Sequence, residues 1–267
     1  MALDLVGIDN RGEFYSHHYL DALLESDLKP LLKRWTERER DKGGRAPWKV
    51  LNGLAGGFFD ARGVASEARR APDERLQAAR TVHARLLEAL GYTRSATVVE
   101  LEDGITVPLV HEERRGGRAV LWVVEAGFPE PDEDPLDQPV LATQLPSDVS
   151  PPTQTWRELL DRHVFREEEA PTWVLFLGGR EVVLAHRHKW ARGKALAFDL
   201  DELFARRQAT AWKAMAALLH RDALVPDDGI SLHEALDESS HKHAFGVSTD
   251  LREGAEQAIE ILGNEAA

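Results

Sequence analysis

"LWVVEAGFPEPDEDPLDQP", residues 121–139, begins as a run fit for a sheet interior and ends as an acidic, proline-broken loop. With the preceding Ala119 and Val120 it reads as the strand "AVLWVVEA", because branched and aromatic side chains fit a pleated, buried surface. The glycine at 127 and the prolines at 129, 131, 135 and 139 cannot continue a sheet, so the strand stops close to Glu125. The loop that follows is expected to run over residues 128–152.

Working upstream, "ATVVEL" and "ITVPLV" flank an Asp103-Gly104 turn, and a Gly116-Gly117 turn leads into the quoted strand. Before these, "PDERLQAARTVHARLLEALGY" is the clearest helix. Pro72 stands near its start, acids fill its first turn, Leu76, Ala79, Val82, Leu86, Leu87 and Leu90 form an apolar stripe, and Gly91 suits its C-cap. Further back, "YLDALLESDLKPLLKRW" carries apolar residues at helical spacing, with Pro30 expected to separate two short helices. Downstream, "TWRELLDRHVF" reads as a helix. "TWVLFLGG" and "EVVLAHRH" read as strands joined through Gly178-Gly179. "KALAFDLDELFARR" reads as a strand entering a helix capped near Asp199 or Asp201, and the chain is helical from Ala209 onward.

These elements predict an α+β protein in three segments. Residues 1–92 form a helical N-terminal segment, residues 93–208 a mixed β-sheet core flanked by helices and carrying the acidic loop, and residues 209–267 a helical C-terminal connector.

The chain has 267 residues, no cysteine and a formal charge of -13. Length and a 43% hydrophobic content suffice for a sizeable core. No apolar run approaches the roughly 18 residues a membrane span needs, and the N-terminus lacks a signal-peptide pattern, so no membrane partner and a cytoplasmic location are expected. The charge is uneven: residues 1–100 carry net +1, residues 101–140 net -7 and the remainder net -7. A surface that grips nucleic acid all over is therefore excluded, because phosphate contacts need Lys and Arg.

Two places suggest chemistry. A Mg²⁺-dependent nuclease of the PD-(D/E)xK kind needs an acid from one strand or turn, a second acid on the neighbouring strand and a lysine two residues later. Asp103 and Glu125 are candidates for the two acids, but Gly127 stands where the lysine belongs, and no lysine lies between Lys49 and Lys189. The alternative is that Glu125 simply ends a strand. The second place is "AHRHKWARGK", residues 185–194, the most basic short stretch. Arg187, Lys189, Arg192 and Lys194 with Trp190 among them suit phosphate and base contact, which makes them the candidate DNA-binding residues. Its alternative is an ordinary cationic turn. His186 and His188 would share one strand face but lack a third ligand, and His17, His18, His241 and His243 are scattered, so no metal site is expected.

"GEFYSHHYLDALLESDLKPLLKRW" resembles the opening of large restriction-modification methylases of the type IIG-like class, including the class I adenine methylases associated with DISARM phage defence. The resemblance continues in order through "DGITVPLV", "LWVVEAGF", "TWVLFLGGREVVLAHRHKW", "FDLDELF" and "LDESSHKHAFGVSTDLREGAEQAIEILGNEAA".

It implies that this chain corresponds to the N-terminal region of such a DNA methyltransferase, without the S-adenosylmethionine-dependent core; no Asn-Pro-Pro-Tyr tetrapeptide is present. It also implies a nuclease-like fold for the central sheet, with the nuclease residues degraded. The function expected is a non-catalytic DNA-handling or partner-docking module of an adenine-N6 methyltransferase system in bacterial anti-phage defence. Its partners would be DNA and the methyltransferase core or other defence subunits. The chain itself would hold no cofactor; S-adenosylmethionine belongs to the absent core. The rival readings are an active Mg²⁺-dependent endonuclease using Asp103 and Glu125, and a purely structural interaction domain whose acidic loop docks a basic partner.

Overall fold

A computed structural model describes residues 5–22, 24–67, 70–227 and 229–237. Leu23 within the expected N-terminal helical run, the histidines His241 and His243, and the helix expected to continue past residue 237 lie outside the described residues.

Strand β1 (Ile8–Arg11) is followed by five helices: α1 (His17–Ala22), α2 (Leu24–Lys42), α3 (Pro47–Asn52), α4 (Ala55–Ala65) and α5 (Pro72–Ala89). Then come β2 (Thr97–Glu100), β3 (Thr106–Leu109), β4 (His111–Arg115) and β5 (Arg118–Glu125), the long loop, α6 (Trp156–Arg162), β6 (Trp173–Leu177) and β7 (Glu181–His186). The one-turn α7 (Arg187–Trp190), β8 (Ala195–Asp199), α8 (Leu200–Arg206), α9 (Ala209–Leu219) and α10 (Arg221–Leu224) follow, and residues 232–237 are again helical. The protein is α+β.

The main sheet has six strands in the order β1-β8-β7-β6-β5-β4, and β2 and β3 form a separate two-stranded sheet. All neighbours in the main sheet are antiparallel except β5 and β6, which run parallel with Glu125 opposite Leu177. A parallel pair needs a long crossover. Residues 126–172 supply it, which explains why so long a proline-rich stretch follows a buried strand.

Side-chain alternation divides the core between the two faces. Leu121 and Val123 of β5, Leu175 of β6 and Phe198 of β8 pack with α2, α3, α4, α5, α8 and α9. Trp122 and Val124, Phe176 and Ala197 face the other way, onto α6, β3 and the loop residues Leu136 and Val140. The first cluster takes residues from Phe14 to Leu236, so all three sequence segments contribute to one core.

Helix α2 runs through Pro30 rather than breaking there. The missing backbone donor is tolerated because Leu24, Leu28, Leu31 and Trp35 bury one face of the helix on either side of it. Asp199 is the cap of α8, its carboxylate accepting from the Glu202 amide at 3.0 Å. None of the helices among the described residues is long and apolar enough to cross a membrane.

Candidate functional site

Glu125 closes β5 on the same face as Leu121 and Val123, beneath α5, and is 1% exposed. Its carboxylate is fully occupied. Arg94 holds it with two bonds, Nη1 to Oε2 at 2.9 Å and Nη2 to Oε1 at 2.6 Å, and Arg80 Nε donates to Oε1 at 2.7 Å. His83 completes the cluster. The Gly179 amide donates to His83 Nε2 at 3.2 Å, which leaves the ring proton on Nδ1, 3.3 Å from Glu125 Oε2. Burial alone would raise the carboxyl's pKa, but hydrogen bonds from His83, Arg94 and Arg80 outweigh it and hold the group far below the ordinary carboxylate range. An acid whose oxygens are spent on two guanidiniums and an imidazole has none left for a metal ion.

The missing lysine has an equally physical cause. A side chain at Gly127 would place its Cβ 2.8 Å from the backbone nitrogen of Leu76 and 3.1 Å from the Arg75 carbonyl carbon, so the backbone of α5 rests directly on that glycine. We expect Gly127→Lys to lower stability by about 1–3 kcal/mol or more through overpacking. It is also expected to give no Mg²⁺-dependent DNA cleavage. An unchanged melting temperature, or cleavage gained, would contradict this geometry.

Asp103 is not brought to Glu125. It sits in the turn between β2 and β3, in the separate small sheet, where it accepts from the Ile105 amide at 3.1 Å and pairs with His163. The two acids share no partner. Among the described residues, no group of three or more His, Asp or Glu side chains is arranged to hold a metal ion.

The basic stretch is largely turned inward. Strand β7 ends at His186 and the next four residues make the helical turn α7, so His186 and His188 do not continue one strand face. Arg187 donates to the carbonyls of Ala170, Glu167 and Glu168, stapling the loop before β6. Lys189 pairs with Asp237, donates to the Phe14 carbonyl at 3.2 Å and lies over the Phe14 ring at 4.2 Å. Lys194 donates to the Glu13 carbonyl at 3.0 Å, and Trp190 packs against Phe165. Only Arg192 is exposed without such a tie among the described residues. These cations therefore bind the sheet edge to the N-terminal segment and to Asp237. The acidic loop is pinned too: Glu130 pairs with Arg75, while Asp134 and Asp137 pair with Arg157.

Positive charge also collects elsewhere, where no sequence motif pointed, and there Arg34, Lys42 and Arg45 have no carboxylate partner among the described residues, while Lys33, Arg38, Arg40 and Lys49 are paired. Residues 33–49 hold seven Lys and Arg against three acids. On α2, Arg34, Arg38 and Lys42 recur at a spacing of four, which aligns them along one side of the helix. Beside this ridge a cleft of about 470 Å³ opens, lined by Trp35, Arg38, Arg45, Pro47, Val50, Leu54, Arg85 and His220 among others.

No family model, characterised protein or solved structure matches this chain. Its class is therefore set by the fold and the charges just described: an α+β protein whose strand-end carboxylate serves as a buried tie.

Proposed function

We propose that the chain is a non-catalytic module of a bacterial adenine-N6 DNA methyltransferase system of the restriction-modification or anti-phage type. In that system it would handle DNA or dock partner subunits in the cytoplasm. The motif resemblance supplies the system. The observation that carries the non-catalytic reading is the saturation of Glu125 by Arg80, Arg94 and His83, which removes the carboxylate a strand-end metal site requires. The DNA contact is assigned to Arg34 and Lys42 on this ridge, with the Asp222-paired Arg38 between them, rather than to the inward-turned cations at residues 187–194, because phosphate contact needs charge that no carboxylate has already neutralised.

The test is duplex DNA binding by the full chain over a range of salt. Arg34→Ala with Lys42→Ala is expected to weaken binding about tenfold at low salt and to flatten the dependence of log affinity on log salt by about 2. The same pair of changes should leave thermal stability intact, since both side chains are exposed. Unchanged affinity and slope in the double variant would remove the DNA assignment. Mg²⁺-dependent cleavage by the native chain that is lost in Glu125→Ala would replace the whole reading with the nuclease alternative.

A further inference from the structure

The cleft beside α2 combines three properties that the DNA ridge does not use. Trp35, Ala46, Pro47, Val50, Leu54 and Ala89 give it apolar walls, and its volume of about 470 Å³ falls within the range of small-molecule sites. Its rim is cationic. Arg45 and Arg85 have no carboxylate partner among the described residues, and the Arg85 guanidinium lies 3.4 Å from where a Cβ at Gly57 would stand.

The acids nearby do not cancel this charge. Glu39 is taken by Lys49 at 2.6 Å and by the Ala46 amide at 3.3 Å, and Arg38 is shared with Asp222 at 3.4 Å. Counting Glu88 as well, four cations face three carboxylates around the opening.

The third property is an unused donor. His220 is 7% exposed and its Nδ1 accepts from the Asp222 amide at 3.0 Å, so the neutral ring carries its proton on Nε2. Burial keeps the ring neutral, with a pKa lowered to about 4. Nε2 has no acceptor among the described residues. A Cβ at Gly91 would approach it to 3.0 Å, so only a glycine fits beside that ring edge.

We propose that this cleft binds a small organic anion, with a flat apolar body against Pro47, Val50 and Leu54 and a phosphate or carboxylate head at Arg45, Arg85 and His220. Apolar walls supply affinity without direction, and the two guanidiniums and the imidazole N–H fix the sign of the head group. A cationic ligand would meet the rim unfavourably, and a bare inorganic ion would leave the walls unused.

Calorimetric titration of the full chain separates the components with four probes: phenyl phosphate, inorganic phosphate, benzyl alcohol and benzylammonium. Phenyl phosphate is expected to saturate with a Kd of about 1 mM or below, about tenfold tighter than each of the others. Arg45→Gln with Arg85→Gln should weaken it about tenfold at an unchanged melting temperature. Val50→Trp, which fills the cleft, should abolish it.

Arg34→Ala with Lys42→Ala, which lie outside the cleft, should leave phenyl phosphate binding unaltered even if DNA binding is lost, so failure here and failure of the DNA reading are separable. The proposal is overturned if phenyl phosphate binds no tighter than its fragments or if benzylammonium binds equally well. It is also overturned if the double glutamine variant binds as the native chain does, or if a duplex oligonucleotide displaces phenyl phosphate competitively. If Val50→Trp does not fold, the glutamine pair decides alone.

Discussion

Replacing Glu125 by glutamine is expected to cost about 3–5 kcal/mol of stability, the range for removing one partner of a buried ion pair, and to lower the melting temperature by roughly 10 °C for a chain of this size. Glutamine keeps the shape of the side chain and one acceptor oxygen but removes the charge. Arg80 and Arg94 would then face each other across a buried amide, with one guanidinium bond of Arg94 lost and the other weakened. The cost is that of two uncompensated cations held together, not of one lost hydrogen bond.

Removing Arg80 and Arg94 together with Glu125 should restore part of the loss, because the repulsion leaves with them, and a triple variant no more stable than Glu125→Gln would refute the ion cluster as the cause. The pH dependence has a definite sign. Glu125 titrates lower in the folded state than in the unfolded one, where its pKa is about 4.3. Its contribution is therefore complete at neutral pH and is lost as the medium is acidified below about pH 4. Mg²⁺ is expected to leave the melting temperature of the native protein unchanged.

Acid should begin to weaken the fold well before the carboxylates titrate. His186, His220 and His233 each have pKa values lowered to about 4, with burial the largest cause. His233 is fixed as a neutral ring between two partners, accepting from the Tyr15 hydroxyl through Nδ1 at 2.6 Å and donating through Nε2 to the Leu218 carbonyl at 2.7 Å. Protonating it would put a second donor against that hydroxyl, beside the Lys189 charge.

Unfolding releases these rings to an ordinary pKa of about 6.5, so the unfolded chain binds more protons between about pH 6.5 and pH 4. Stability is then complete above that window and falls as pH drops through it, by about 1.4 kcal/mol per pH unit for each histidine at the steepest point. Denaturant melts at a series of pH values should show uptake of two to three protons on unfolding near pH 5. His220→Asn keeps a cap acceptor for the Asp222 amide and should reduce that uptake by about one. A stability that stays flat from pH 7 to pH 5 would be incompatible with neutral imidazoles at the buried His220 and His233 and the half-buried His186.

Much of the fold was legible because its strands and helices carry strong periodicity. Strand β5, the hairpin of β6 and β7, helix α5 and the capped helix α8 all fall where alternation, glycine turns and cap residues place them. Strands β1 and β4 were not legible, and the reason is their place in the sheet. Both are edges, and "IDNR" and "HEERR" are as polar as loops because only one side of each is covered.

The site divides in the same way. Glu125 was found from its strand, but Arg80, His83 and Arg94 lie 45, 42 and 31 residues away, and only the spacing of three between Arg80 and His83 on the buried side of α5 hinted at them. The basic stretch was visible as charge, yet charge counting cannot tell a lysine that meets solvent from one like Lys189 that meets a carboxylate and an aromatic ring. Free cations at Arg34, Lys42, Arg45 and Arg85 carried no motif, and only folding lines them up.

Strand β1 pairs with β8, Ile8 opposite Phe198, so the two halves of this ladder are made 190 residues apart. At translation rates of about 5–20 residues per second, β1 leaves the ribosome roughly 10–40 s before its partner exists. In that interval β1 has no sheet to join, and the helices around Trp35 and Phe58 have no β5–β8 face on which to close. The N-terminal strand therefore cannot complete its ladder until β8 has been made. The Arg11–Glu181 pair and the bonds from Lys189 and Lys194 to the Phe14 and Glu13 carbonyls close the same long loop, a clasp that can shut only after residue 194 has been made.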